Sequence, residues 1–126
     1  MTKTYALLRA GFPYVKTIGM RRVTSYPVDI ALGREGRIYV LCRSDIVSDV
    51  RVLNLEDEHL GTIGKLGTGD GELQWPVTII VDEKEELFIS DEALHRVSRY
   101  DKDGNFLGKW GEPGIKDGQL NGPAGM

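Results

Sequence analysis

Gly64-Lys-Leu-Gly-Thr-Gly-Asp-Gly-Glu-Leu-Gln-Trp-Pro76 returns 47 positions later as Gly111-Glu-Pro-Gly-Ile-Lys-Asp-Gly-Gln-Leu-Asn-Gly-Pro123. Gly64, Gly67, Asp70, Gly71, Leu73 and Pro76 all recur in register. Self-similarity at a fixed period of this length marks a repeat architecture, whose units bury their apolar faces only by stacking on neighbours.

Between the two copies the apolar pattern falls into short runs: Val77–Val81, Leu87–Ser90, Arg96–Tyr100 and Asn105–Trp110. Each is strand-length and bounded by turn residues. The first run is almost wholly apolar and is expected to be buried, and Asp103-Gly104 supplies a tight turn before the last. Together they read as a four-stranded antiparallel meander. The preceding unit repeats the plan with Val28–Leu32, Arg37–Leu41, Val50–Leu53 and Leu60–Ile63, its first two runs joined by Arg34-Glu-Gly-Arg37. From Pro27 to Gly64 is 37 residues, against 35 from Pro76 to Gly111. The two extra residues are assigned to the loop Arg43-Ser-Asp-Ile-Val-Ser-Asp49.

Tyr5–Arg9 and Tyr14–Gly19 match the last two strands of a unit, and the chain ends at Met126 just after another blade-opening Pro123. The expected organisation is a half unit over 1–26, whole units over 27–75 and 76–122, and the start of another over 123–126. Four-stranded meanders of about 40–50 residues have the period of β-propeller blades. The fold class is therefore all-β, a propeller of four-stranded antiparallel blades forming an incomplete ring. Further blades in cis would close it, or less readily a homo-oligomer.

Composition narrows the function classes. The chain has 126 residues, 40% of them hydrophobic, as a globular domain requires. Sixteen basic against 19 acidic residues give a net charge of −3, so no global field attracts phosphate backbones or anionic lipid. Cys42 is the only cysteine, which excludes an intrachain disulfide and a Cys-based zinc cage. Its setting in Ile38-Tyr-Val-Leu-Cys42 reads as a buried strand. No run approaches membrane-spanning length or a signal-peptide core. If Met1 is the true start, a cytoplasmic product is expected.

The segment Leu87-Phe-Ile-Ser-Asp-Glu-Ala-Leu-His-Arg-Val-Ser-Arg-Tyr-Asp-Lys-Asp-Gly-Asn-Phe-Leu-Gly-Lys-Trp-Gly111 resembles the NHL repeat. That pattern joins a strand ending in Ala/Ser-Asp, an Asn-His-Arg or Asn-His-Leu triplet, a Val/Ile strand, an Asp-x-x-Gly turn and a Trp/Phe-Gly before Gly-x-x-x-Gly and Pro. Leu94 replaces the usual Asn, while His95 and Arg96 stand in their places. The first unit is degenerate: Cys42 takes the place of the strand-end Asp, and Ser48-Asp49 that of His95-Arg96. The resemblance implies a six-bladed propeller. It leaves function open among RNA-binding and ubiquitin-ligase adaptor domains, extracytoplasmic sensors of bacterial kinases, and the peptidyl-hydroxyglycine amidating lyase.

The lyase is the sharpest enzymatic alternative, with a lactone hydrolase of related form beside it. In the lyase, the resemblance implies, zinc-ligating histidines follow the blade-opening Pro; here those positions are Val28, Val77 and Ala124, which offer no lone pair. Zinc or calcium would then enter only through ligands in other blades, and the residues in hand give no catalytic, metal or cofactor assignment. His95 beside Asp91 has the makings of a general base. A structural role fits a recurring triplet better, with Asp91 as hydrogen-bond acceptor tying the loop between the second and third strands. His59 reads as a surface residue at a turn. Asp101-Lys-Asp-Gly-Asn105 resembles the opening of a calcium loop, but its Gly falls too early and a hairpin turn is the better reading. Gly67-Thr-Gly-Asp-Gly71 lacks the Gly-Lys-Ser/Thr of a phosphate cradle and reads as a blade-to-blade crossing.

The loops joining strand two to three and blade to blade share one face, where recognition concentrates on a rigid scaffold. Its candidate binding residues are Arg22, Arg43, Trp75, Asp91, His95 and Arg96. The mixed charge of that face disfavours nucleic acid and favours a protein or small ligand. Trp75 is the expected exposed anchor, because Gly122 holds its place in the next unit; Trp110 is expected in the core. The function so read is a non-catalytic scaffold that binds on its loop face.

Overall fold

A computed structural model describes residues 16–18 and 24–111. The half unit expected over 1–26, the segment 123–126 and Arg22 lie wholly or mostly outside them. Eight strands follow one another: β1 (Pro27–Leu32), β2 (Ile38–Arg43), β3 (Ser48–Leu53), β4 (His59–Ile63), β5 (Pro76–Val81), β6 (Leu87–Asp91), β7 (Arg96–Tyr100) and β8 (Phe106–Trp110). They form two four-stranded antiparallel meanders, β1-β2-β3-β4 and β5-β6-β7-β8, with no helix among the described residues. These are two propeller blades.

The repeat extends to the irregularities. The β1–β2 register slips between Pro27 and Asp29, and the β5–β6 register slips between Pro76 and Thr78. The last pair of each blade slips between Val52 and Leu53 and between Arg99 and Tyr100. A bulge bends its strand and re-aims the side chains beyond it. Both blades carry these bulges at equivalent positions.

Hairpin turns follow from short polar side chains that substitute for backbone partners. The Asn54 side-chain oxygen accepts the N–H groups of Glu56 and Glu58, Asp82 accepts those of Lys84 and Glu86, and Asp101 accepts those of Asp103 and Asn105. Each turn puts its fourth residue at positive φ: Asp57, Glu85 and Gly104. Asp101 also accepts the Asn105 side-chain amide at 2.9 Å; these bonds hold its carboxyl below the usual carboxylate range. Its oxygens thus accept the hairpin's own N–H groups.

The two blades share one core. Tyr39, Leu41, Val50, Val52 and Ile63 project from the first sheet onto Ile79, Leu87, Ile89 and Tyr100 of the second, with Leu73 of the connecting segment between them. The opposite face of the first sheet carries Ile38, Val40, Cys42 and Leu53, against which Ile18 packs. Cys42 is buried as expected, and desolvation pushes its thiol up from the ordinary value.

Two side chains depart from the sequence expectation, and a third residue sits in a different element. In the run Val77–Val81, expected to be buried, Ile79 is buried, Val77, Thr78 and Val81 are partly so, and Ile80 is 41% exposed. Strand alternation turns Ile80 to the face away from the first blade. Trp110, expected in the core, is 49% exposed on that same outer face, edge-on to Phe88 with ring centroids 5.8 Å apart. His59, read as a turn residue, begins β4, exposed as expected.

Candidate ligand site on the loop face

The segment between the blades, residues 64–75, is folded upon itself. Gly64 opens it at φ +78 and Gly111 stands at φ +98 at the end of the second blade, a conformation that costs glycine least. Leu73 N–H donates to the Lys65 carbonyl and Gly67 N–H to the Leu73 carbonyl. The glycine run encloses a carboxylate of its own chain: Gly69 N–H donates to Glu72 Oε1 at 2.8 Å.

Asp91 and Arg96 fasten this crossing. Asp91, fully buried at the end of β6, accepts Gln74 N–H at 2.7 Å and Trp75 N–H at 3.1 Å, together with Ala93 and Leu94 N–H of its own loop. Arg96 donates to the carbonyls of Thr68, Gly69 and Glu72. A buried guanidinium and a buried carboxylate so engaged are structural ties. The expected tie by Asp91 is present and reaches further than its own loop, into the crossing. His95, at φ +53, is half-buried in that loop.

Arg43 and Trp75 meet elsewhere. Arg43 ends β2; its N–H donates to the Tyr26 carbonyl, and its Nη1 donates to the Pro76 carbonyl at 3.2 Å. Its guanidinium carbon lies 4.2 Å from the Trp75 ring centroid. The neighbouring loop is closed by Ser44, whose Oγ accepts Val47 N–H at 3.0 Å and whose own N–H donates to the Val47 carbonyl at 2.6 Å. This is the loop assigned the two extra residues, and it lifts Ile46 to a tip that is 79% exposed. Tyr26, Arg43, Ser44, Asp45, Ile46 and Trp75 line an open hollow.

Of the expected binding residues, Arg43 and Trp75 come together in the hollow, whereas Asp91 and Arg96 tie the second blade to the crossing and His95 sits in the loop between them. Tyr26, Ser44, Asp45 and Ile46 were not among the expected site residues. The signal for Tyr26 was in the repeat: it stands one residue before Pro27, as Trp75 stands before Pro76. Among the described residues, no group of three His, Cys, Asp or Glu side chains is placed to hold a metal.

No family model matches the chain. Protein lin-41 of Caenorhabditis elegans is 48% identical over 48 residues, which is 38% of this chain and 4% of that protein. RING finger protein nhl-1 of the same organism is 40% identical over 63 residues, 50% of this chain and 6% of its own length. Protein brain tumor of Drosophila melanogaster is 32% identical over 57 residues, 45% of this chain and 6% of its own. The matched parts are thus a small fraction of each relative. The crystal structure of a Lactobacillus plantarum protein aligns with a TM-score of 0.55 at 16% identity, covering 75% of this chain and 29% of that one. That likeness is one of fold.

Proposed function

We propose that this chain, whose repeats are of the NHL type shared with lin-41, nhl-1 and brain tumor, is a non-catalytic propeller scaffold that binds a protein on its loop face. Six blades would complete the ring, so the two described contribute a rigid arc of a larger platform. The observation that supports this reading most directly is where the hollow forms. The first unit is the degenerate one, and its lengthened loop builds the hollow with Tyr26, Arg43 and Trp75. Exposed aromatic and arginine anchors held on a rigid frame are the residues that dominate protein interfaces. This reading calls for no cofactor; zinc or calcium belongs to the enzyme alternative, a lyase or lactone hydrolase.

Site-specific photo-crosslinking tests the reading. A benzophenone side chain at position 46 is expected to yield protein adducts that Trp75→Ala diminishes, while the same group at position 83, on the opposite turn face, yields few. Equal adducts from both faces, or adducts indifferent to Trp75→Ala, would remove the loop face as the binding surface.

A further inference from the structure

Most cations described on the loop face are taken up by groups of the chain itself. Among the described residues, Asp49 pairs with Arg51, Glu72 with Lys65 and Asp70 with Lys109, and the Arg96 guanidinium is taken up by three backbone carbonyls. Arg43 stands apart. It is oriented from three sides, by the Tyr26 carbonyl on its backbone, the Pro76 carbonyl on Nη1 and the Trp75 ring under its plane. Yet no ion pair joins it to a carboxylate among the described residues, although Asp45 lines the same hollow. A guanidinium has five N–H donors, and among the described residues Arg43 makes one side-chain hydrogen bond. A fork fixed in advance loses little freedom when it binds.

Resting on the protein-binding reading above, we propose that the Arg43 fork is a carboxylate receptor, and that the hollow takes an extended peptide carrying an acidic side chain next to an apolar one. The acid meets Arg43, and the apolar neighbour lies against Tyr26 and Ile46, which are 67% and 79% exposed. Three observations select this chemistry. One guanidinium balances the single charge of a carboxylate, whereas a phosphate dianion would sit beside Asp45 with half its charge unmatched. A nucleobase would have to stack on Trp75, and Arg43 already covers a face of that ring. Among the described residues, the crossing and loops also offer no continuous track of cations for a polyanion.

The probes are a short capped peptide centred on Leu-Glu-Leu, its Leu-Gln-Leu twin, and a uridine oligonucleotide of similar length, each titrated into the isotopically labelled full chain by NMR. The Glu peptide is expected to shift the Arg43 side-chain N–H and the Trp75 indole signals with saturation, and to bind about tenfold more tightly than the Gln twin. Arg43→Gln should erase that preference. Asp45→Asn, which leaves the Arg43 anchors in place, should strengthen Glu-peptide binding about two- to threefold. If both peptides bind equally at the hollow, the carboxylate receptor is wrong and the scaffold reading stands. Shifts confined to other surfaces defeat both. Tighter binding of the oligonucleotide at the same signals assigns the site to nucleic acid, and no saturable shift by about 10 mM peptide overturns the proposal outright.

Discussion

Tyr100 carries a conflict that a single atom decides. Its ring is buried between the blades and meets Phe106 edge-on with centroids 5.7 Å apart, but its hydroxyl finds no hydrogen-bond partner among the described residues. A buried polar group without a partner costs free energy, and here no partner would be orphaned by its removal. Tyr100→Phe should therefore leave stability at pH 7 unchanged or raise it by up to about 1 kcal/mol. The same burial pushes the phenol from 10.0 up to about 12. Below pH 10 the phenol is neutral in both states and the folded state keeps its full advantage. Between pH 10 and 12 the unfolded chain releases a proton that the folded chain retains, so stability falls as pH rises. Burial shifts Tyr39 in the same direction, so Tyr100→Phe should remove only its own share of this alkaline loss. Urea midpoints at pH 7, 10 and 11.5 check both halves; an unchanged alkaline limb in the variant would show that the phenol is not responsible.

At the scale of the element, one cross-strand pair distinguishes the two blades. Asp91 lies opposite Arg96 between β6 and β7, and Cys42 lies opposite Asp49 between β2 and β3. Where the carboxylate is replaced by a thiol, the facing arginine is replaced as well, and Asp49 turns to Arg51 at 3.0 Å. Restoring only the carboxylate by Cys42→Asp would bury a charge opposite Asp49 and should cost about 2–4 kcal/mol. Cys42→Asp combined with Asp49→Arg should recover at least half of that loss, because the pair then matches the second blade. A double-mutant cycle by urea denaturation reads the coupling, and a coupling energy below about 0.5 kcal/mol would mean that the two positions do not act as a unit. This pairing was legible in the sequence as a lapse in the repeat, since period and turn residues aligned both units before any contact was known. Trp110 was not legible. Its place at a strand end is the same whether the blade face beyond it is covered or open, and local sequence carries no record of that neighbour. The hollow was half legible: the surplus of two residues located its loop, but the approach of Arg43 to Trp75 depends on how one blade stands against the next.

For the whole molecule, the question is whether the blades are two folding units or one. In a repeat protein, stability is divided between the units and the interfaces that join them. Here the interface holds the principal core, and polar ties supplement it: Asp29 accepts Ile79 N–H at 2.9 Å, Ser48 Oγ donates to the Gln74 carbonyl at 3.3 Å, and Glu85 accepts Arg34 N–H. Leu73 is the fully buried side chain that the crossing contributes to that core. Truncating it removes contacts from both sheets at once and leaves a cavity that neither hairpin set can close alone. Leu73→Ala should cost about 2–5 kcal/mol. If the blades are one cooperative unit, amide exchange should accelerate together in β2–β3 and in β6–β7, although the substitution lies in neither. Trp75 is two residues away, so the Arg43–Trp75 contact should loosen in parallel, seen as a change in the indole environment. Faster exchange confined to one sheet would instead mean that the blades fold separately. The loop-face hollow would then be a joint between independent bodies, and its geometry would be set by whatever binds there rather than by the fold.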